Sequence, residues 1–336
     1  MKRPDPSKLV VVVLGLVAAC SPSGGSGPQT QCSGVDGGVC FSGTAVVQGF
    51  TATPVALQAN LFREFPSTGA VALASVPVGA DGSFVFTDVQ PWAHFYVQIQ
   101  ADFGLPLAPA AFVGPLTVPP AAPLAPIQVK PVQLSVQEEG PAGSPMMLQS
   151  ALAYVFDPTS GALLQGATVS IEVGGSAVPM TWTSVGSGNY AYSVTLPANT
   201  AAQGTYTITT QGPGATTPSS WQLVAATPTF TPTLTSPAAN ATVPASQALT
   251  VSWPLQPAAD DELVQLFVMQ NGAWSPVYQP PPDDEDVGQQ VIPASYLSPA
   301  GQALLLNVAF LQGNCPVTAD GCVVAESIAA TQITPQ

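Results

Sequence analysis

Residues 82–100 read GSFVFTDVQPWAHFYVQIQ, and the spacing of their aromatic and aliphatic side chains decides the fold. Phe84 and Phe86 stand two apart, and Phe95, Val97 and Ile99 alternate with Tyr96, Gln98 and Gln100. A period of two places each set on one face of an extended chain, so both segments predict strands with one face in a core. His94 shares its register with Tyr96 and Gln98 and is expected to face outward, at an exposed boundary between turn and strand.

The same pattern recurs along the chain. Residues 131–226 offer seven strands, VQLSVQE, SALAYVFD, ATVSIEV, VPMTWT, NYAYSVTL, GTYTITTQ and SWQLVAA. Turn signals such as DPTSG and NTAAQG separate them at sandwich spacing. Residues 227–336 alternate again in ALTVSW, LVQLFVMQ, WSPVYQ, QQVIPA, ALLLNVAFL and VVAESIAATQI. Eight prolines between Pro106 and Pro131 predict an edge strand running into a stiff connector, because proline cannot donate to a sheet ladder. The expected architecture is all-β, with three consecutive β-sandwiches over residues 41–130, 131–226 and 227–336.

Charged residues are 7% of the 336, against 46% hydrophobic. The polar surface must therefore come from Ser, Thr, Gln, Asn and backbone, which suits strands and turns. The formal charge is −14, and three of the five cations, Lys2, Arg3 and Lys8, precede the first apolar run. From Cys20 onward 18 acidic residues face only Arg63 and Lys130. Such a chain cannot neutralise a phosphate backbone, so no nucleic-acid partner is expected.

The segment KLVVVVLGLVAAC, residues 8–20, ends its apolar run at a cysteine. As a helix, its roughly 11 apolar residues would span about 17 Å of a hydrocarbon core near 30 Å, too short to cross. Basic residues in front and small ones at the end make residues 1–19 a signal peptide. Val17-Ala18-Ala19-Cys20 resembles the lipobox of bacterial lipoprotein precursors. The resemblance implies cleavage before Cys20, acylation of Cys20, and, with Ser21 rather than Asp following, export to the outer membrane, facing either the periplasm or the cell surface. The competing reading is an ordinary buried cysteine after an N-terminal helix. Two or more acyl chains suffice for stable anchoring. Residues 20–40, beginning CSPSGGSGPQTQ, form a tether with a reach of about 25 Å.

Three further resemblances concern the sandwiches. Asp81, Gly82, Phe84, Pro91 and Tyr96 make residues 78–104 similar to the transthyretin-like regulatory domains of carboxypeptidases, which are non-catalytic. The usual glycine after the proline is replaced here by Trp92-Ala93-His94. Asp157, Gly161, Gly166, Ala167, Val169, Gly188 and Tyr190 make the second block resemble bacterial immunoglobulin-like domains. The third weakly resembles fibronectin type III modules, which implies a core Trp253. Leu304 to Leu306 replace the tyrosine such modules carry at their corner.

Four cysteines remain in two close pairs, Cys32 with Cys40 and Cys315 with Cys322. In an oxidising compartment two local disulfides are expected, with crossed pairings and a zinc site as rivals. No residue is assigned a catalytic role. A serine triad needs an imidazole, and His94 is the one histidine. No cofactor is expected. Asp260 to Glu262 and Asp283, Asp284, Glu285 and Asp286 are weak calcium candidates, against the commoner reading of solvated loops. Trp182 with Tyr192, or Trp274 with Tyr278, are glycan-platform candidates, against core or edge cover. The function expected is a lipid-anchored envelope spacer or scaffold, with a polysaccharide- or protein-binding module as the alternative and an enzyme as a remote third.

Overall fold

The computed structural model describes residues 38–336, except 54–55, 64, 66–71, 119, 121–123, 143, 187–188, 198, 226–230, 257–258, 281–287 and 298–299. Cys20, Cys32 and Asp283–Asp286 lie outside the described residues. The described chain is built from strands, with one 3-10 turn at Ala294–Tyr296. Among the described residues no helix is long and apolar enough to cross a membrane.

The N-terminal unit packs two sheets face to face. Strands β1 (Val39–Val47), β4 (Ser83–Val89) and β7 (Ile127–Val129) form one in the order β4-β1-β7. Strands β2 (Ala56–Phe62), β3 (Ala74–Pro77), β5 (Trp92–Asp102) and β6 (Ala110–Val118) form the other in the order β3-β2-β5-β6, which leaves the Pro-flanked β6 at an edge. Phe41, Phe84 and Phe86 from one sheet meet Phe95, Val97 and Ile99 from the other in a closed core. The period of two in residues 82–100 thus does what the spacing demands of it.

The middle unit contains all seven expected strands: β8 (Val132–Pro141), β9 (Met147–Val155), β10 (Thr168–Val173), β11 (Ser176–Gly186), β12 (Asn189–Ser193), β13 (Thr205–Gln211) and β14 (Ser219–Val224). Strand β11 passes between the two layers. Its residues 176–180 pair with β10 and residues 181–186 with β12, the sheet-switching device by which sandwiches turn corners. Gly174 and Gly175, with φ of 58° and 77°, supply the left-handed two-residue turn that joins β10 to β11. The core is filled by Val132, Leu134, Val136, Ile171, Tyr206 and Ile208 among others.

The C-terminal unit holds β15 (Ala241–Val243), β16 (Leu249–Ser252), β17 (Asp261–Gln270), β18 (Ala273–Tyr278), β19 (Gln289–Ile292), β20 (Leu304–Asn314) and β21 (Cys322–Pro335). Trp253 is in its core, ring edge to face with Phe310, and Leu304 and Leu306 are buried beside them.

This unit closes a core of its own but shares a sheet with the middle unit. Strand β21 pairs along its length with β20, and on its other side it runs parallel first to β8 and then to β15. One sheet therefore continues through two units, in the order β14-β13-β10-β11-β12-β9-β8-β21-β20-β17-β18. Alternation puts Val323, Ala325 and Ile333 on one face of β21, and position along the strand divides them: the first two, near its start, enter the middle core and Ile333, near its end, the C-terminal one. Parallel pairing of strands so distant in sequence leaves no hairpin signal for the sequence to carry.

Between β20 and β21, Cys315 and Cys322 form the second expected disulfide, with both cysteines buried. Cys40 is also disulfide-bonded. A loop this short constrains the unfolded chain by about 2.5 kcal/mol in the entropy model. A Cys315→Ser/Cys322→Ser variant is expected to lose about that much stability in urea unfolding, and to expose sites in all three units to protease together rather than in the C-terminal unit alone.

Candidate functional site

The loop closed by this disulfide is where the three units meet. Cys315 exchanges backbone hydrogen bonds with Gly114 of β6, at 2.9 and 2.7 Å. Gly114 is required by space: a Cβ there would stand 2.4 Å from the Tyr96 ring and 2.7 Å from the Phe95 carbonyl oxygen. Gly321 is required in the same way, because a Cβ would meet the Leu134 carbonyl oxygen at 2.5 Å just where β21 enters its parallel pairing with β8. Phe62, Tyr96 and the two cysteines form a small buried cluster covered by Phe65 and Phe112.

A polar clamp is buried beside it. The single Tyr96 hydroxyl hydrogen is shared between Asp260 Oδ2 at 2.8 Å and the Gly313 carbonyl at 2.9 Å, and the Gly313 N–H donates to the same Asp260 oxygen at 2.5 Å. His94 Nδ1 lies 3.2 Å from Asp260 Oδ1. Burial, and then the Asp260 carboxylate beside it, push the Tyr96 hydroxyl well above the usual phenol range, so it stays a donor. Two expectations are corrected here. His94 and Tyr96 do face away from the N-terminal core, but that face is covered by the C-terminal unit, leaving the His94 side chain 14% exposed and Tyr96 0%. Asp260 is no member of a solvated acidic loop; it turns inward as the acceptor of the clamp.

Asp320, in the disulfide loop, fastens the middle unit. It pairs with Lys130, accepts from the Gln222 N–H at 2.7 Å and donates its own N–H to the Gln222 carbonyl at 2.7 Å. Lys130 also lies 5.9 Å from the centroid of the Trp221 ring. A cavity of about 40 Å³ beneath the loop is lined by Phe112, Gln128, Lys130, Gln133 and Asp320, among others. On the opposite flank Phe103 packs over Gly161, where a Cβ would come within 2.5 Å of the ring. The N–H groups of Thr51 and Ala52 donate to the Pro158 carbonyl. Asp157 holds that turn through its bond from the Thr159 N–H at 2.6 Å.

Two carboxylates of the shared sheet, Glu138 buried and Glu326 half-buried, have no cationic partner in these contacts. Glu138 points into the middle core and accepts from the Tyr206 hydroxyl at 2.5 Å; burial raises its pKa, partly opposed by that bond. Glu326, opposite Glu139 across the β8–β21 pairing, is raised by burial and then by the Glu139 charge.

The aromatic candidates separate. Tyr192 is 3% exposed, and its hydroxyl is spent on the Leu164 carbonyl and the Ala167 N–H, so with Trp182 it covers the core. Trp274 and Tyr278 do not share a platform. A bulge in β18 sets Trp274 opposite exposed Met269 but Tyr278 opposite buried Leu266, reversing the alternation. Tyr278 instead meets Tyr296, a residue the sequence reading missed, with ring centroids 4.9 Å apart and planes at 60°. No group of three or more metal-ligating side chains occurs among the described residues.

No family model matches the chain, and no curated protein does. Among solved structures, Escherichia coli α-2-macroglobulin in its native conformation aligns at 14% identity over 86% of this chain, with a TM-score of 0.23; the chain spans 19% of that protein. The fibronectin(III)-like modules of Clostridium thermocellum CbhA align at 14% identity over 61% of this chain and 94% of theirs, TM-score 0.24. The FN1–FN3 domains of chicken CNTN1 align at 12% over 84% of this chain and 91% of theirs, TM-score 0.24. Overlaps this loose carry no argument about activity.

Each buried hydrogen-bonding group left unsatisfied costs about 1–3 kcal/mol. Asp260→Ala strands the Gly313 N–H and leaves the Tyr96 hydroxyl a single acceptor. It should lose about 3 kcal/mol in urea titration, more than Tyr96→Phe at about 1 kcal/mol, and the double variant should lose less than the sum. Glu138 gives a pH test. Its raised folded pKa means that its contribution is fully present below the ordinary carboxylate range and lost as pH rises through the folded value. Glu138→Gln is therefore expected to raise the thermal midpoint at pH 8, by a margin that vanishes near pH 4.

Proposed function

We propose that this chain is a lipid-anchored protein of the bacterial cell envelope, held in the outer membrane by acyl groups on Cys20, that serves as a non-catalytic scaffold. The observation that carries the reading is the C-terminal hairpin β20–β21. Its backbone pairs with the middle unit, its disulfide loop bonds to the N-terminal unit, and its own residues close the C-terminal core. A chain of independent modules would bend at each joint. Here the joints are cross-pinned, which suits a body that transmits position from a membrane anchor to whatever it presents.

The lipobox Val17-Ala18-Ala19-Cys20 and the glycine- and serine-rich residues that follow support the anchoring part. A first local disulfide, Cys32 with Cys40, belongs to the same proposal and would fasten the tether to the start of β1. The excess of acidic residues disfavours collapse onto an anionic bilayer at low salt. The inward-turned His94 and Asp260 serve the clamp, which leaves the one imidazole committed to structure.

Mass spectrometry of the protein taken from membranes should show an N-terminal peptide beginning at an acylated Cys20. Cys20→Ala should move the protein from the membrane to the soluble fraction. An intact, unmodified N-terminus on membrane-derived protein would refute the anchor.

A further inference from the structure

We propose that the fold is a tension lock, in which β8 and β21 form a clamp loaded in shear when the chain is pulled between its N-terminal side and the end of β21. The two strands run parallel, with Cys322 opposite Ser135 and Ile328 opposite Pro141. Tension from the N-terminal side enters β8 at Val132, and tension on the far side leaves β21 at Pro335. These loads draw the strands past each other along their length, so the whole ladder shares them. In an antiparallel pair both loads would act at one end and open the bonds singly.

The rest of β21 stiffens the clamp. Its other edge pairs with all of β20, from Leu304 to Asn314, and beyond Ile328 it takes β15 as a second parallel neighbour. Slipping by one residue would turn Val323, Ala325 and Ile333 out of two cores at once, because side chains alternate between faces. The base is closed covalently: Cys322 begins β21 and Cys315 follows β20, so the disulfide joins the hairpin where its loop would otherwise unravel. Asp320 in that loop holds Lys130 just before β8.

The clamp shields both units. Strand β8 opens the middle unit and β21 closes the C-terminal one, so both loads meet at their pairing before they reach anything between. Once β8 is gone, the parallel strand left to oppose β21 is the short β15, Ala241–Val243. It stands at once under the force that broke a longer ladder, and residues 132–335 extend together. The N-terminal unit has a short clamp of the same kind, in which Ala45–Val47 of β1 run parallel to Ile127–Val129 of β7. It yields first. An anchor at Cys20 would supply the tension, so the use of the lock rests on the proposed scaffold reading, whereas the lock itself is a property of the folded chain.

Optical-tweezers pulling of the full-length protein by handles at its two ends tests this. After a first step from the N-terminal unit, residues 132–335 should extend in one step of about 65 nm, from about 200 residues at roughly 3.6 Å each less about 5 nm for the folded length of β21. A second geometry moves the C-terminal handle to an encoded azide at exposed Thr318, in the disulfide loop. There β8 and β21 are loaded from the same end and should unzip, at a force lower by about twofold or more. A fold that is merely stable has no such dependence on direction. The proposal is overturned if end-to-end pulling extends residues 132–335 in two steps of about 30 nm each, or if the force is the same with either handle. Neither result bears on the acylation of Cys20, which mass spectrometry decides.

Discussion

Strand β21 has a hydrogen-bonded neighbour on both sides for most of its length, and everything else in the molecule depends on that. Its antiparallel partner β20 comes from its own hairpin, while its parallel partner β8 lies nearly two hundred residues earlier. A strand in that position has no free edge, so its backbone groups are satisfied only when both units are folded. Its side chains divide between two cores along its length, Val323 and Ala325 near its start in one and Ile333 near its end in the other. The hydrophobic burial of two units is thereby coupled through one segment of chain.

The N-terminal unit joins by different physics. Apart from the Gly114–Cys315 bridge it adds no strand to the shared sheet, and it docks through packing and a few buried polar bonds. Asp260 collects three of these, from Tyr96, Gly313 and His94. Burying a carboxylate is costly, and such a group adds little net stability against an apolar substitute of the same shape. Its effect is on register: any displacement of β5 against β20 would leave the carboxylate uncompensated in a dry site. Lys130, one of two cations beyond Cys20, does the same for Asp320 at the mouth of the junction. The two contacts select one docking geometry among the many that apolar surfaces alone would tolerate.

These constraints make sense of a protein with so few charges. With 7% charged residues, ionic contacts cannot be scattered over the surface, and the ones described concentrate at the junctions. The open surface is left to amides, hydroxyls and a few exposed aromatic and aliphatic side chains.

The sequence by itself determined the strands, because alternation is a local property: the two faces of residues 82–100 and the seven strands of the middle unit follow from spacing, while for Cys315 and Cys322 nearness only favoured a pairing among rivals that the fold then decided. It also placed Trp253 in a core. The tertiary structure alone decided which strands are neighbours and what covers an outward face. Tyr96 and His94 read as exposed because alternation reports which side of a sheet a residue takes and is silent on whether another unit lies there. Trp274 and Tyr278 read as partners because one inserted residue, invisible to a period-two pattern, inverts everything beyond it. Tyr296 had no periodic signal, since it sits in a turn, and only folding brings it to Tyr278. The parallel pairing of β21 with β8 joins segments that share no turn and no pattern, so it is fixed by the packing of two cores and by nothing local to either strand.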